Sequence, residues 1–186
     1  MNSIEKVELE IEKTIERSEV PEDPIHSKNT REWVLRLKPN ADVALQIAAL
    51  GHDIERSIKG GKVLRKDFSD FNEFKKAHSL NSARILRQIL SKHDIDKEVV
   101  EKITYLVKRH EFGGDPEADI LRDGDSISFF DVNLPFYFRR TSREEVTSRI
   151  KWGYRRLSEN FRAIVKGFRY DTVELDLLFQ NAILDE

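Results

Sequence analysis

The chain has 186 residues, 39% of them hydrophobic and 35% charged, with a formal net charge of −2 and no cysteine. That length supports one domain with a proper core, and the apolar fraction is too high for disorder. Without Cys there can be no disulfides, thiolate zinc sites or cysteine nucleophiles, so any metal must be held by imidazole and carboxylate.

Nearly every segment reads with helical period and none alternates, which predicts an all-α fold over a single domain, 1–186. The first stretch, MNSIEKVELEIEKT, is charged without an apolar centre; it reads as a polar helix over 3–17 and not as a signal peptide. Asp23-Pro24 predicts a helix start, with Asp23 as N-cap and Pro24 at the first helical position, running to about Leu37. Pro39-Asn40 breaks it, and the next helix spans Ala41 to about Arg56. A polar loop with Gly60-Gly61, Lys62, Arg65 and Lys66 follows. Asp70 and Glu73 resemble a capping box for a helix to about Ser91. Asp96 opens a helix ending near His110, and Asp115-Pro116 opens another to about Asp131. Pro135 is expected in an aromatic break, NLPFYF, before helices over 142–166 and 172–184. No apolar run approaches the length of a membrane span, so a cytoplasmic location without membrane contact is expected.

Between Ala41 and Ile54 the only polar side chains are Asp42, Gln46, His52 and Asp53. A helix apolar nearly all round belongs in the interior, and an imidazole and a carboxylate at its end are costly to bury unpaired. A metal ion would supply the pairing; a metal-free His-Asp hydrogen bond is the alternative. The other histidines decide between them. His78 shares a face with Phe71, Phe74, Ile85 and Ile89; His110 ends the stripe Val99, Ile103, Leu106, Val107; His26 sits in register with Trp33 and Leu37. Asp125 follows Gly124, which leaves room for close approach. Neutral imidazole nitrogens with carboxylate oxygens are what a borderline divalent metal takes.

The run LQIAALGHDIE resembles the signature of the HD superfamily of metal-dependent phosphohydrolases. The order His26, His52-Asp53, His78, His110, Asp125 is similar to the family's extended six-ligand pattern, over about 20–135, and ILRDGDSISFF resembles its last metal helix. The resemblance implies an HD-domain helical bundle with a metal-binding core at 20–135 and a C-terminal helical extension at 136–186. It implies a first metal at His26, His52, Asp53 and Asp125, and a second bridged by Asp53 and held by His78 and His110. In one-metal members the positions of His78 and His110 would face the substrate phosphate instead. Iron or manganese is favoured, with cobalt, nickel, zinc and magnesium also within the family's range. Two departures narrow the substrate. Family members acting on nucleotides often carry HD-x-x-E, whereas here Glu55 falls one place early, and there is no GYP motif.

The expected activity is hydrolysis of a phosphate ester, of a nucleotide or other small phosphorylated metabolite, by metal-activated water. Asp53 and Glu55 are the expected catalytic carboxylates. Arg56, Lys62, Arg65, Lys66, Lys108 and Arg109 are the expected substrate contacts. Two rivals stand beside this reading. One is a di-iron oxygenase of HD type. The other is a module with a structural metal whose basic segment, ten Lys/Arg against three Glu from Arg139 to Arg169, meets RNA or another polyanion, although the net charge of −2 disfavours nucleic acid. The same segment also reads as an amphipathic core helix with a solvated basic face. A homo-oligomer is compatible with the sequence. A second dipeptide, His93-Asp94, lies in a polar junction and is expected to cap rather than ligate.

Overall fold

The computed structural model describes residues 2–184 and 186. It is all-helical, as the periodicity predicts, and among the described residues there is no strand. The helices are α1 (Ser3–Ile15), α2 (Asp23–Leu37), α3 (Val43–Gly51), α4 (Phe71–Leu90), α5 (Lys97–Arg109), α6 (Pro116–Ser128), α7 (Leu134–Arg140), α8 (Arg143–Arg156), α9 (Glu159–Lys166) and α10 (Val173–Leu184). None of the described helices is long and apolar enough to cross a membrane.

The helix starts follow from short polar side chains. Asn2, Asp42, Asp70, Asp96, Asp115 and Ser142 each accept a backbone N–H from the first turn of α1, α3, α4, α5, α6 and α8. Several starts and stops differ from expectation. At α2 the cap position is Glu22, and Asp23-Pro24 occupy the first turn; Asp23 instead accepts from Ser18 Oγ at 2.5 Å. The helix expected over 142–166 breaks into α8 and α9, because Leu157 adopts an extended conformation. Pro135 does not sit in a break. A π-helical turn over Phe129–Asn133 links α6 to α7, with the Leu134 N–H donating five residues back to the Phe129 carbonyl, and Pro135 lies in the first turn of α7, where its missing N–H costs least.

Two apolar clusters hold the fold. The first joins α1 to α5 and the start of α6, and contains Leu45, Ile47, Leu50 and Ile54 at 0–1% exposure. Each such side chain contributes about 1.5–3 kcal/mol by leaving water. The second gathers the C-terminal helices onto α2 and α6 through Trp33, Ile127, Phe130, Val146, Ile150, Tyr154 and Phe179. The segment 136–186 thus shares its core with residues of 20–135, and α7 straddles the division.

α2 and α6 approach closely at Gly124. A Cβ there would lie 2.8 Å from Val34 Cγ2 and 3.4 Å from the Thr30 carbonyl oxygen. The Gly124→Ala variant is therefore expected to lose about 1–3 kcal/mol by overpacking, read as a lowered midpoint in urea with an unchanged slope. A midpoint equal to the parent's would show that the two helices part without cost.

Candidate metal centre

α3 stops at Gly51, short of the Arg56 end expected from its apolar run. His52 keeps helical angles, but Asp53 turns to φ −102° and ψ 13°, and a 3-10 turn over Ile54–Ser57 follows. The turn matters because neighbouring side chains on a continuing helix diverge by about 100°. Only a break lets His52 and Asp53 face one space. The same device recurs at the end of α5. His110 is its C-cap, and Glu111 lies beyond the helix before Gly113 and Gly114, whose positive φ values turn the chain away. His26 comes from the first turn of α2, His78 from the middle of α4 and Asp125 from α6.

These side chains converge. His26 Nε2 lies 3.2 Å from His52 Nε2 and 3.2 Å from Asp125 Oδ1. His52 Nε2 is 3.4 Å from Asp125 Oδ1. Asp53 Oδ2 lies 3.8 Å from His26 Nε2 and 3.6 Å from His52 Nε2. The other oxygen of Asp53, Oδ1, lies 2.7 Å from His78 Nε2 and 3.7 Å from His110 Nε2. Asp53 thus offers one oxygen toward His26 and His52, which gather with Asp125, and the other toward His78 and His110, and His110 and Asp125 also gather with Glu111, so all six residues of the expected set come together.

The outward ring nitrogens are also accounted for. His52 Nδ1 donates to the Ala49 carbonyl at 2.8 Å and His110 Nδ1 to the Val107 carbonyl at 2.7 Å. Ser128 Oγ donates to the His26 carbonyl, so it accepts from His26 Nδ1 at 2.8 Å. His78 Nδ1 meets Glu55 Oε1 at 2.7 Å. An imidazole whose Nδ1 carries the proton presents a lone pair at Nε2, and the Nε2 atoms of His26, His52 and His110 face inward, while His78 Nε2 is bonded to Asp53 Oδ1.

Residues 5–177 match the family model described as "Domain of unknown function (DUF4202)". The chain belongs to the DUF4202 family. No curated protein and no solved structure matches it.

The donor set of this DUF4202 chain fits a metal ion. A cation with ligands at about 2.1 Å holds neighbouring ligand atoms about 3.0–3.4 Å apart, close to the spacing of the first group. Two inward lone pairs, on His26 and His52, repel at 3.2 Å unless a cation or proton lies between them. His110 Nε2 is buried without a hydrogen-bond partner, a costly state that a bound ion would relieve. The electrostatics agree. Burial opposes charge on Asp53, yet Arg56 and His52 hold its carboxyl well below the usual range. Arg156 does the same for Asp125, and Lys75 and Arg156 for Glu111, again against burial. Burial would push His52 down, but Asp53 and Asp125 outweigh it and lift the ring to about 9, whereas at His110 burial wins and the ring is pushed down. Clustered carboxylates of this kind attract whichever cation is present.

Beside the donors lies a cavity of about 160 Å³, lined by His26, Asp53, Asp125 and Glu111 and by the cations Arg56, Lys75, Arg140 and Arg149. A larger groove of about 730 Å³ runs between α1 and α4, but none of the ligand set reaches it, so chemistry rather than size locates the site. Of the six expected substrate contacts, Arg56 lines the cavity, with its NH1 2.9 Å from Asp53 Oδ2. The other five do not. Lys62 borders a separate hollow near Glu19, Arg65 donates to the Phe68 carbonyl, Lys66 and Lys108 are exposed, and Arg109 donates to Tyr105 Oη. Glu55 grips His78 from behind and accepts from Val63 N–H and Asn81 Nδ2, so it orients a ligand rather than meeting the cavity.

Besides Arg140, four residues of the site were not anticipated there. Glu111 Oε1 lies 3.4 Å from His110 Nε2. Lys75 stands one turn before His78 and bonds Glu111. Arg156 bonds Asp125 and the His110 and Glu111 carbonyls, and Arg149 lies over the rings of Phe129 and Trp152. The two arginines belong to the basic segment that read as a polyanion surface or a solvated face, and they turn inward. The remaining His and Asp near these helices have other partners. His93 pairs with Glu10 while Asp96 caps α5, and Asp123 accepts from Ser158 N–H and Oγ, at the start of α9.

Proposed function

We propose that this chain is a metal-dependent phosphohydrolase of the HD type, acting on a phosphate ester of a nucleotide or other small metabolite. The observation that carries the reading is the join between donor set and cavity. One wall is imidazole and carboxylate, and the rest carries Arg56, Lys75, Arg140 and Arg149. Arg149 is the most telling of these, because its NH1 is buried without a hydrogen-bond partner. A buried guanidinium in that state suits an anion with several acceptor oxygens, as phosphate is.

When bound, a divalent ion supplies Lewis acidity toward phosphoryl oxygens and lowers the pKa of water. The protein supplies the rest. His26, His52, Asp53 and Asp125 hold the ion, and the Nδ1 anchors fix each ring. Arg149, braced at 4.6 Å from the Phe129 centroid and 4.2 Å from that of Trp152, orients the phosphate with Arg56. Burial of the cavity walls strengthens each of these attractions.

The oxygenase reading draws support from Asp53, which offers an oxygen to each donor group. The cationic wall favours hydrolysis over it. The polyanion-binding reading loses part of its surface, since Arg149 and Arg156 face inward and Arg155 pairs with Glu186. The test is protein purified without added metal, analysed for metal, then assayed anaerobically for phosphate release from a panel of phosphomonoesters. Release that stops with chelator and returns with metal supports hydrolysis. Turnover that requires O₂, or none from metal-loaded protein, refutes it.

A further inference from the structure

The two donor groups around Asp53 are not equivalent. In the first, His26 Nε2, His52 Nε2 and Asp125 Oδ1 stand 3.2–3.4 Å apart, the spacing of ligands around one ion, and Asp53 Oδ2 lies 3.6–3.8 Å from the two imidazoles. In the second, His78 Nε2 and Asp53 Oδ1 close to 2.7 Å, bonded directly to each other and tighter than the spacing of about 3.0–3.4 Å for ligands around one ion. The remaining donor on that side is Glu111 Oε1, 3.9 Å from His78 Nε2 and 3.4 Å from His110 Nε2. It is already taken by the Lys75 ammonium, while Glu111 Oε2 faces Arg156 NH2 at 3.1 Å.

Lys75 is fixed where it stands. Its side chain is 7% exposed, and its ammonium lies 5.5 Å from the Trp152 ring centroid and 5.9 Å from that of Phe71. It lines the same cavity as His26, Asp53 and Asp125. A buried lysine costs desolvation that one carboxylate repays only in part, so its place in the cavity wall calls for a ligand-directed role. A second dication here would sit beside two fixed positive charges, Lys75 and Arg156, with the one carboxylate not shared with the first group already neutralised by both.

We infer that Lys75 stands in for a second metal: the chain holds one divalent ion, at His26, His52, Asp53 and Asp125, and the ammonium supplies the neighbouring positive charge that faces the phosphate. This rests on the metal-centre reading above. The full chain is loaded with manganese alone, dialysed, and measured for manganese per chain and for spin coupling between ions. The wild type is expected to hold one uncoupled ion. Lys75→Met is expected to take a second, coupled to the first, with second-ion affinity raised more than about tenfold as the repelling charge is removed. Lys75→Gln, which keeps a polar side chain, serves if the Met variant does not fold. Glu111→Gln is expected to keep the single ion. Two coupled ions in the wild type would overturn the inference and leave the metal centre intact, as would a folded Lys75 variant that stays at one. A wild type that binds no manganese would remove the metal centre itself.

Discussion

In the Asp53→Asn variant, metal content falls to a small fraction of the parent's and phosphate release drops by roughly 10³-fold or more, since several kcal/mol of charge stabilisation leaves with the ion. The size of the effect comes from position. Asp53 stands between the two donor groups, with Oδ2 near His26 and His52 and Oδ1 bonded to His78. Asn keeps the shape but loses the charge, and its NH₂ points a donor where a cation must sit. Helical content by circular dichroism is expected to match the parent's, which separates lost chemistry from lost fold. His93→Ala is the control. That imidazole, in the second His-Asp dipeptide, only pairs with Glu10 near the surface, and its removal is expected to leave metal and activity within about a factor of two. Full activity in Asp53→Asn would reject the metal centre.

Arg156→Met is expected to cost about 3–5 kcal/mol, the range for removing one partner from a buried charged network. At about 2–4 °C per kcal/mol for a chain of this size, the melting temperature falls by roughly 6–20 °C. The guanidinium is 8% exposed and donates to Asp125 Oδ2 at 2.7 Å, Ser126 Oγ at 3.0 Å, and the His110 and Glu111 carbonyls at 2.6 and 3.1 Å. Met fills much of the volume but leaves two carboxylates and two carbonyls without their donor. Arg155→Met, one residue earlier, removes an arginine 68% exposed and paired with Glu186, and should leave the melting temperature close to the parent's. Equal melting temperatures for the two variants would mean that the buried network contributes no more than the exposed pair.

The six clustered ligand-type residues were readable from the chain because each lies in phase with an apolar stripe or at the end of one. His78 falls in register with Ile85 and Ile89, and His110 follows the stripe of α5, so burial of the stripe carries the imidazole inward. Glu111 was missed because adjacency counts against sharing a face within a helix, and the end of α5 at Arg109 removes that objection. The pair His52-Asp53, past the end of α3, is the same case, and a charged residue directly after such a histidine is the signal to look for. Arg149 and Arg156 were harder. They lie seven apart, on one face of α8, but a basic segment gives no sign that Arg156 meets carboxylates from α6 and from just past α5, or that Arg149 lines the cavity. The break at Leu157 was equally hidden, since Tyr154 and Val165 continue an apolar pattern across it and only the tertiary packing places both in one cluster. Loop cations such as Lys62 and Lys66 were expected near the ligand by proximity in sequence, and the turn after Ser57 carries them elsewhere.

The π turn at Phe129–Asn133 has an angular meaning for the cavity rim. It accommodates one residue more per hydrogen-bonded ring than an α-turn, and so sets the azimuth of everything in α7 relative to α6. Phe129 precedes that offset, Asn133 closes it, and Tyr137 and Arg140 follow it, yet all four border the same opening. Excising a single residue there would wind α7 on by about 100° and swing Tyr137 and Arg140 off the rim while α6 kept Asp125 in place. The turn acts as a keyed joint, through which chain length alone determines which side chains guard the entrance to the ligand cluster.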